Sequence, residues 1–367
     1  MRTRDLQRWW VSWGRAVAAI AAVSTAVVGL ARPARAADVN FNLYGDVDYV
    51  VAHQGVTTNS FQSPRFEIFS TATEGRLSFL AETMFEVGGD NAFAVDMERV
   101  EVSYLFADWF RLHLGRFHTA IGYYNDAYHH GRYFQTTVDR PEMVRFEDEG
   151  GLTPAHSVGV HADGRFGLRR AGSLRYDVEI ANGRGNVPDE VTNLVDHNNA
   201  KAYNLRLRFE PSFPDGLIIG VNAYFDTIPA TGPDPIAMPA VTTVGERIYG
   251  AHLVYLENNI HLISEFLRIE HRSDVASGNT HAGFVEAGYT FGSLTPYARY
   301  EKVSFPSVLD PFYAQNKLGL RGSFYSVLAG LRYLVSENVA LKLEGGQITP
   351  VTGSKTSSVS FQCAFAF

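Results

Sequence analysis

Apolar and polar residues alternate with period two along nearly the whole chain beyond residue 38. From Val39 to Val51 one set reads Val39, Phe41, Leu43, Gly45, Val47, Tyr49 and Val51, and the interleaved set reads Asn40, Asn42, Tyr44, Asp46, Asp48 and Val50. A strand sends two such sets to opposite faces, whereas a helix scatters both around its circumference. Likewise Leu174, Tyr176, Val178 and Ile180 oppose Arg175, Asp177 and Glu179, and Tyr203, Leu205, Leu207 and Phe209 oppose Asn204, Arg206 and Arg208. The last segment sets Val359, Phe361, Cys363, Phe365 and Phe367 against Ser360, Gln362, Ala364 and Ala366. Residues 245–256 and 260–268 are apolar on parts of both faces, and 66–72 is short; these also read as strands. The pattern predicts about 16 strands, within the even-numbered series of bacterial barrels. They fall near 39–51, 65–73, 76–87, 95–106, 109–118, 155–163, 173–182, 201–210, 216–227, 246–256, 259–269, 282–291, 294–303, 322–335, 338–348 and 356–367.

The connections alternate in length. Glu74-Gly75, Ala107-Asp108, Glu257-Asn258, Gly292-Ser293 and Ser336-Glu337 are tight-turn pairs, and 163–172 and 211–215 are somewhat longer. Between them lie longer polar segments near 52–64, 88–94, 119–154, 183–200, 228–245, 270–281, 304–321 and 349–355. With an even strand count, all the short turns and both termini fall at one end and all the long loops at the other. A soluble β-sandwich also alternates, but its loops have no reason to sort by parity, and its strands are shorter. The expectation is an all-β fold: a closed antiparallel transmembrane barrel with short periplasmic turns and long outside loops. One face of each strand carries charges that a dry core would not tolerate, so that face is expected to meet water in a lumen. Tyr49, Phe106, Phe110, Phe209 and Tyr333, outward and near strand ends, would form interfacial girdles.

Composition narrows the class. Of 367 residues, 46% are hydrophobic and only 19% charged, which argues against a disordered chain. Outside the N-terminus no apolar run is long enough for a transmembrane helix. Residues 1–36 read as an export signal: basic Arg2, Arg4, Arg8 and Arg15, an apolar core from Val17 to Leu30, and a cleavage site after Ala34-Arg35-Ala36. The remaining 37–367 would be the barrel. The signal carries six of the 32 basic residues and one of the 39 acidic residues, so its removal takes the net charge from −7 to −12. Such a balance argues against a nucleic-acid partner. A single cysteine excludes a disulfide framework and a multi-thiolate metal centre; Cys363 falls on the outward, lipid-facing set.

Two segments carry a family resemblance. The terminal Phe361-Gln362-Cys363-Ala364-Phe365-Ala366-Phe367 resembles the assembly signal of bacterial outer-membrane barrels, and the chain as a whole looks like the 16-stranded porin superfamily. Leu114-Gly115-Arg116-Phe117-His118-Thr119-Ala120-Ile121-Gly122-Tyr123-Tyr124 is similar to a strand-to-loop segment of porin-like proteins, the phosphate-selective porins among them. The resemblance implies a passive water-filled channel in the outer membrane, usually a homotrimer, narrowed by its third outside loop. Its partners would be outer-membrane lipid and small hydrophilic solutes, with no cofactor and no catalytic centre. The third long connection here, 119–154, is also the longest.

That loop places bases and acids together. If it folds into the lumen, opposed charges would set ion preference. The candidate constriction and lumen residues are Arg111, Arg116, Arg132, Arg140, Arg145, Glu142, Glu147, Asp148, Glu149, Arg175, Arg206 and Arg208. An anion- or phosphate-preferring channel would need its arginines unopposed, yet Asp126, Asp139 and the acids just named share the loop. His113, His118, His129, His130, His156 and His161 crowd the same region, but no HExxH-type spacing marks a metal site. Nor is there a GxSxG elbow or a glycine-rich phosphate loop. An outer-membrane enzyme or an adhesin are the readings from other classes.

Overall fold

The computed structural model describes residues 37–62, 64–87, 93–129, 131–189, 198–229, 243–306 and 310–367. The segment read as an export signal lies outside them, as does His130. Among the described residues, seventeen strands form a single sheet. They are β1 Asp38–Gln54, β2 Val56–Phe61, β3 Arg65–Glu74, β4 Leu77–Val87, β5 Phe93–Ala107, β6 Phe110–His118, β7 His156–Gly167, β8 Gly172–Ala181 and β9 Ala202–Pro211. The rest are β10 Leu217–Ile228, β11 Val244–Tyr255, β12 Ile260–Arg272, β13 Ser277–Tyr289, β14 Leu294–Ser304, β15 Phe324–Ser336, β16 Val339–Pro350 and β17 Thr356–Ala366. From β3 onward each strand pairs antiparallel with the next, and β17 returns to β1 with Tyr44 opposite Ala366 and His53 opposite Ser357. The sheet therefore closes into a barrel.

Sixteen staves make the wall, and β2 is the extra strand. It runs back along the end of β1, from Gln54 opposite Val56 to Tyr49 opposite Phe61, and β3 continues the same stave beside the earlier part of β1. The segment 52–64, expected as a loop, is thus largely a hairpin turning at Gly55, whose φ of +77° suits glycine. The expected long loop 270–281 shrinks to four residues between Arg272 and Ser277. In both places the alternation fades because the strands rise past the lipid and neither face need be apolar. At the opposite end the turns are short, and Asn258 and Asn259 both take positive φ, 55° and 64°, as the tightest hairpin turns require.

The barrel is inverted relative to a soluble protein. Along β9 and β10 the outward Leu205 and Val221 are 44% and 52% exposed, while the inward Asn204 and Asn222 are 3% and 5% exposed. The same contrast holds for outward Leu343 and Phe361 against inward Glu344 and Gln362. An apolar exterior over a polar interior is stable when lipid covers the outside. Aromatic pairs mark the strand ends: Tyr49–Phe61, Phe66–Phe85 and Phe225–Tyr249 toward the loop end, and Phe106–Phe110, Phe166–Tyr176 and Tyr289–Phe291 toward the turn end.

Candidate functional site

The connection between β6 and β7 folds into the barrel. An irregular segment in a crowded interior needs a partner for every backbone N–H; carbonyls of the loop accept from some, and inward carboxylates and one amide of the wall accept from others. The Ala120 N–H donates to Glu179 of β8 (2.8 Å) and that of Gly122 to Asn222 of β10 (3.1 Å). Those of Tyr123 and Tyr124 converge on Glu265 of β12 (2.9 and 2.5 Å). Further on, the Val138 N–H donates to Glu344 of β16 (3.0 Å), and those of Glu142 and Met143 to the two oxygens of Glu301 of β14 (2.9 and 2.7 Å). Lys342 returns the favour in the other sense, donating to the Arg132 and Thr137 carbonyls (2.6 and 2.8 Å).

Two short helices help. Within the β6–β7 loop, α1 spans Tyr124–Ala127. In the β14–β15 loop, α2 spans Lys317–Arg321, with the Asn316 side chain accepting from the Leu318 N–H (2.8 Å). Ile121, Tyr124, Met143 and Leu152 of the first loop pack with Phe312, Tyr313 and Leu318 of the second, against Tyr224, Ile248 and Leu267 of the wall. The Tyr313 hydroxyl donates to the Leu152 carbonyl, and Lys317 donates to that of Asp148. This apolar mass fills the lumen beside β10–β15 and leaves space on the other side of the loop.

That space, about 390 Å³, lies between the loop and β1, β3 and β4. Arg132, Arg145, Asp139 and Glu149 line it from the loop, and Asp48, Arg65 and Glu86 from the wall. Arg132 spans the two sides, contacting Asp48 (2.9 Å) and Asp46 (3.5 Å) of β1 and Asp139 (3.0 Å) of its own loop. Arg65 also reaches Asp46 and Asp48 (3.1 and 3.4 Å). Arg145 pairs with Glu142 (2.9 Å). A second space, about 510 Å³, opens at the turn end, where Arg111, Arg165, Arg175 and Arg208 meet Asp108 and Asp163.

The other sequence candidates sit elsewhere. Arg140 is buried inside the loop and organises it, donating to the carbonyls of Val144 (2.7 Å) and His129 (2.8 Å) and to Asn125 (3.1 Å). Arg206 is buried beneath the loop, pairing with Asp177 and Asp126 (both 2.9 Å) and donating to the Gly122 carbonyl (3.0 Å). Arg116 reaches the Glu98 carbonyl (2.8 Å) on the wall. Arg111 is bound through two hydrogen bonds by Asp163 (both 2.8 Å), Arg175 pairs with Glu210 (2.6 Å), and Arg208 with Asp177 (3.2 Å). Glu142 is buried between Arg145 and Arg321, the latter at 2.7 Å. Glu147 accepts from the Ala155 N–H (2.7 Å), and burial pushes its carboxyl up to about 7. Asp148 is exposed.

The wall residues Asp48, Arg65 and Glu86 complete the opening, and Asp46 behind them pairs with Arg65 and Arg132, without any of them having been singled out. Their signal was present for Asp46 and Asp48, which fall in the polar set of the first strand; Arg65 opens a stave whose alternation is short. Among the histidines, Glu101, His113 and His161 come together near the turn end. Both nitrogens of His113 already face carboxylates, Glu101 at 2.8 Å and Asp163 at 3.0 Å, so this group is a hydrogen-bonded charge network on the wall. His118, His129 and His156 form a second group, treated below.

A family model described as Gram-negative porin matches residues 16–351. No curated protein matches the chain significantly. Among solved structures, the anion-selective porin from Comamonas acidovorans is 11% identical, with a TM-score of 0.62 over 90% of this chain and 100% of that one. Salmonella typhi OmpF, solved in complex with daunomycin, is 14% identical (TM-score 0.60; 90% and 98% covered). The trimer form of OmpT, an outer-membrane protein of Vibrio cholerae, is 12% identical (TM-score 0.57; 90% and 100% covered). At such identities the likeness is one of fold.

Proposed function

The chain belongs to the Gram-negative porin family, and from that premise we propose that it is a general diffusion channel of the outer membrane, passing small hydrophilic solutes and ions down their gradients with weak selectivity. The carrying observation is the third loop inside the barrel, pinned by wall carboxylates on one side and bordering a charged opening on the other. Three arginines and four carboxylates line that opening. The arginines are paired with acids at 2.9–3.4 Å, so their fields largely cancel for a passing ion and a small cation preference remains. The same pairing at the turn end weighs against anion or phosphate selectivity, although Comamonas acidovorans holds an anion-selective porin of this fold. Arg132, Arg145, Asp139, Glu149, Asp48 and Arg65 are the residues that would act on the solute. Family membership supports a channel rather than an enzyme. A homotrimer is the proposed assembly, as in the trimer form of Vibrio cholerae OmpT.

Planar-bilayer recording of the purified protein tests this reading. The expected result is stable conductance proportional to bulk salt conductivity, with a reversal potential indicating slight cation preference. Silent membranes, or strong anion preference, would overturn it.

A further inference from the structure

The histidines that sequence spacing left without a role meet in three dimensions. His118 ends β6 and His156 begins β7, directly opposite it in the sheet register. His129 follows α1 in the inserted loop. All three are buried, and one ligand nitrogen from each lies within 4.8 Å of the others. The rings are in contact: centroids are 3.6 Å apart for His118–His129, 4.4 Å for His129–His156 and 5.5 Å for His118–His156.

Each ring also faces an oxygen of the kind that orients ligating histidines. Nδ1 of His129 lies 3.2 Å from Oδ1 of Asn125. That amide's orientation is fixed, because its Nδ2 donates to the carbonyls of both Thr119 and Ala155 (3.0 Å each) while Oδ1 accepts from Arg140. Oδ1 can only accept, so His129 carries a proton on Nδ1, and Nε2 is the nitrogen through which it would ligate. Nε2 of His156 is 2.9 Å from a Glu98 carboxylate oxygen, and Nε2 of His118 is 3.5 Å from one of Glu82. Two carboxylates thus stand beside three imidazoles, each carboxylate also neighboured by an arginine, Arg99 at 2.5 Å from Glu82 and Arg116 at 3.9 Å from Glu98. Imidazole sets of this kind favour zinc, copper or nickel, whereas calcium and magnesium require oxygen cages.

We propose that His118, His129 and His156 bind one divalent transition-metal ion of the zinc type, with Glu82, Glu98 and Asn125 as the outer partners. Metal–nitrogen bonds of about 2.0–2.1 Å put tetrahedral ligand nitrogens roughly 3.4 Å apart, so on loading the stacked His118 and His129 rings turn until a nitrogen of each faces the ion. The bound ion ties the inserted loop, through His129, to two adjacent wall strands. It is a structural clamp on the loop, and it stands whether or not the channel conducts.

The test uses the full chain, purified in detergent and stripped with chelator. Cobalt(II) is titrated as a visible-absorbing probe and zinc is used to displace it. One cobalt per chain with the intense absorption of a tetrahedral site, displaced by zinc, is expected. His129→Ala should weaken binding by more than about a hundredfold, and Glu98→Gln by about ten- to a hundredfold. His53→Ala and His281→Ala, at exposed positions, should leave it unchanged. No saturable cobalt signal, or equal binding by His129→Ala, overturns the proposal. If His129→Ala does not fold, electron paramagnetic resonance of copper(II) on the wild-type chain decides: three imidazole nitrogens support the site, and fewer overturn it.

Discussion

Arg132→Gln tests the opening most directly. Arg132 is the cation that faces both sides, with Asp46 and Asp48 on the wall and Asp139 on the loop within 3.5 Å. An open space of about 390 Å³ has the volume of a sphere roughly 4.5 Å in radius, so a passing ion sits on the order of 6 Å from the lining charges. At that distance one unit charge changes the ion's energy by about 0.7 kcal/mol in water, falling to about 0.4 kcal/mol with screening at 0.1 M salt. Removing a positive charge stabilises a cation and destabilises an anion by the same amount. The cation-to-anion permeability ratio should therefore rise about fourfold at 0.1 M salt and about tenfold in dilute salt. The assay is the reversal potential across a bilayer under a potassium chloride gradient. Arg132→Gln/Asp139→Asn restores the charge balance and should bring the potential back toward wild type. An unchanged potential in the single variant, or no recovery in the double, would show that ions pass elsewhere.

Three further outcomes follow from the fold. Val221→Arg places a charge near the middle of the lipid face of β10 and should cost about 2–4 kcal/mol, read from the folding equilibrium in lipid vesicles; an effect below about 0.5 kcal/mol would argue against lipid contact there. Gly115 has φ +137°, and an added Cβ would fall 2.0 Å from the Val100 carbonyl oxygen, so Gly115→Val should cut the yield of heat-resistant folded barrel sharply; normal yield would mean that β5 and β6 can separate. For Glu147 the folded carboxyl, raised by burial from 4.5 to about 7, keeps a proton that the unfolded chain has lost, so its contribution weakens stability as pH rises through that window. Glu147→Gln should flatten the decline in thermal stability between pH 5 and pH 8, and an unaltered slope would refute the assignment.

The barrel was legible because lipid imposes its rule at every second residue. Leu205, Leu207 and Phe209 had to be apolar, and Asn204, Arg206 and Arg208 were spared that demand, so each strand announced itself. Where the rule lapses, the reading failed. The hairpin of Thr57, Thr58 and Asn59 rises beyond the lipid with both faces exposed, carries no period, and read as loop. The tight return between Arg272 and Ser277 was missed because its outward Arg272, Ser277, Asn279 and His281 are polar, although its inward face is buried.

The inward face poses a different difficulty, because one alternation signal serves two opposed purposes. Glu265 and Glu301 hold loop backbone N–H groups and are sealed away, whereas Asp48 and Glu86 occupy equivalent inward positions and border open space. Nothing in either strand distinguishes anchor from lining; the difference is created by which segment of the inserted loop lies opposite. The loop shows the same division. Arg140 and Arg145 are five residues apart, yet Arg140 is spent on carbonyls of its own loop while Arg145 borders the opening. A charged residue in this lumen can affect solutes only after the loop's backbone has been satisfied, because an unpaired N–H in a crowded interior costs more than a surface ion pair gains. The lining residues are therefore those left over from anchoring. It follows that mutating an anchor such as Glu301 should change loop order first and ion preference second, while mutating Arg132 should do the reverse.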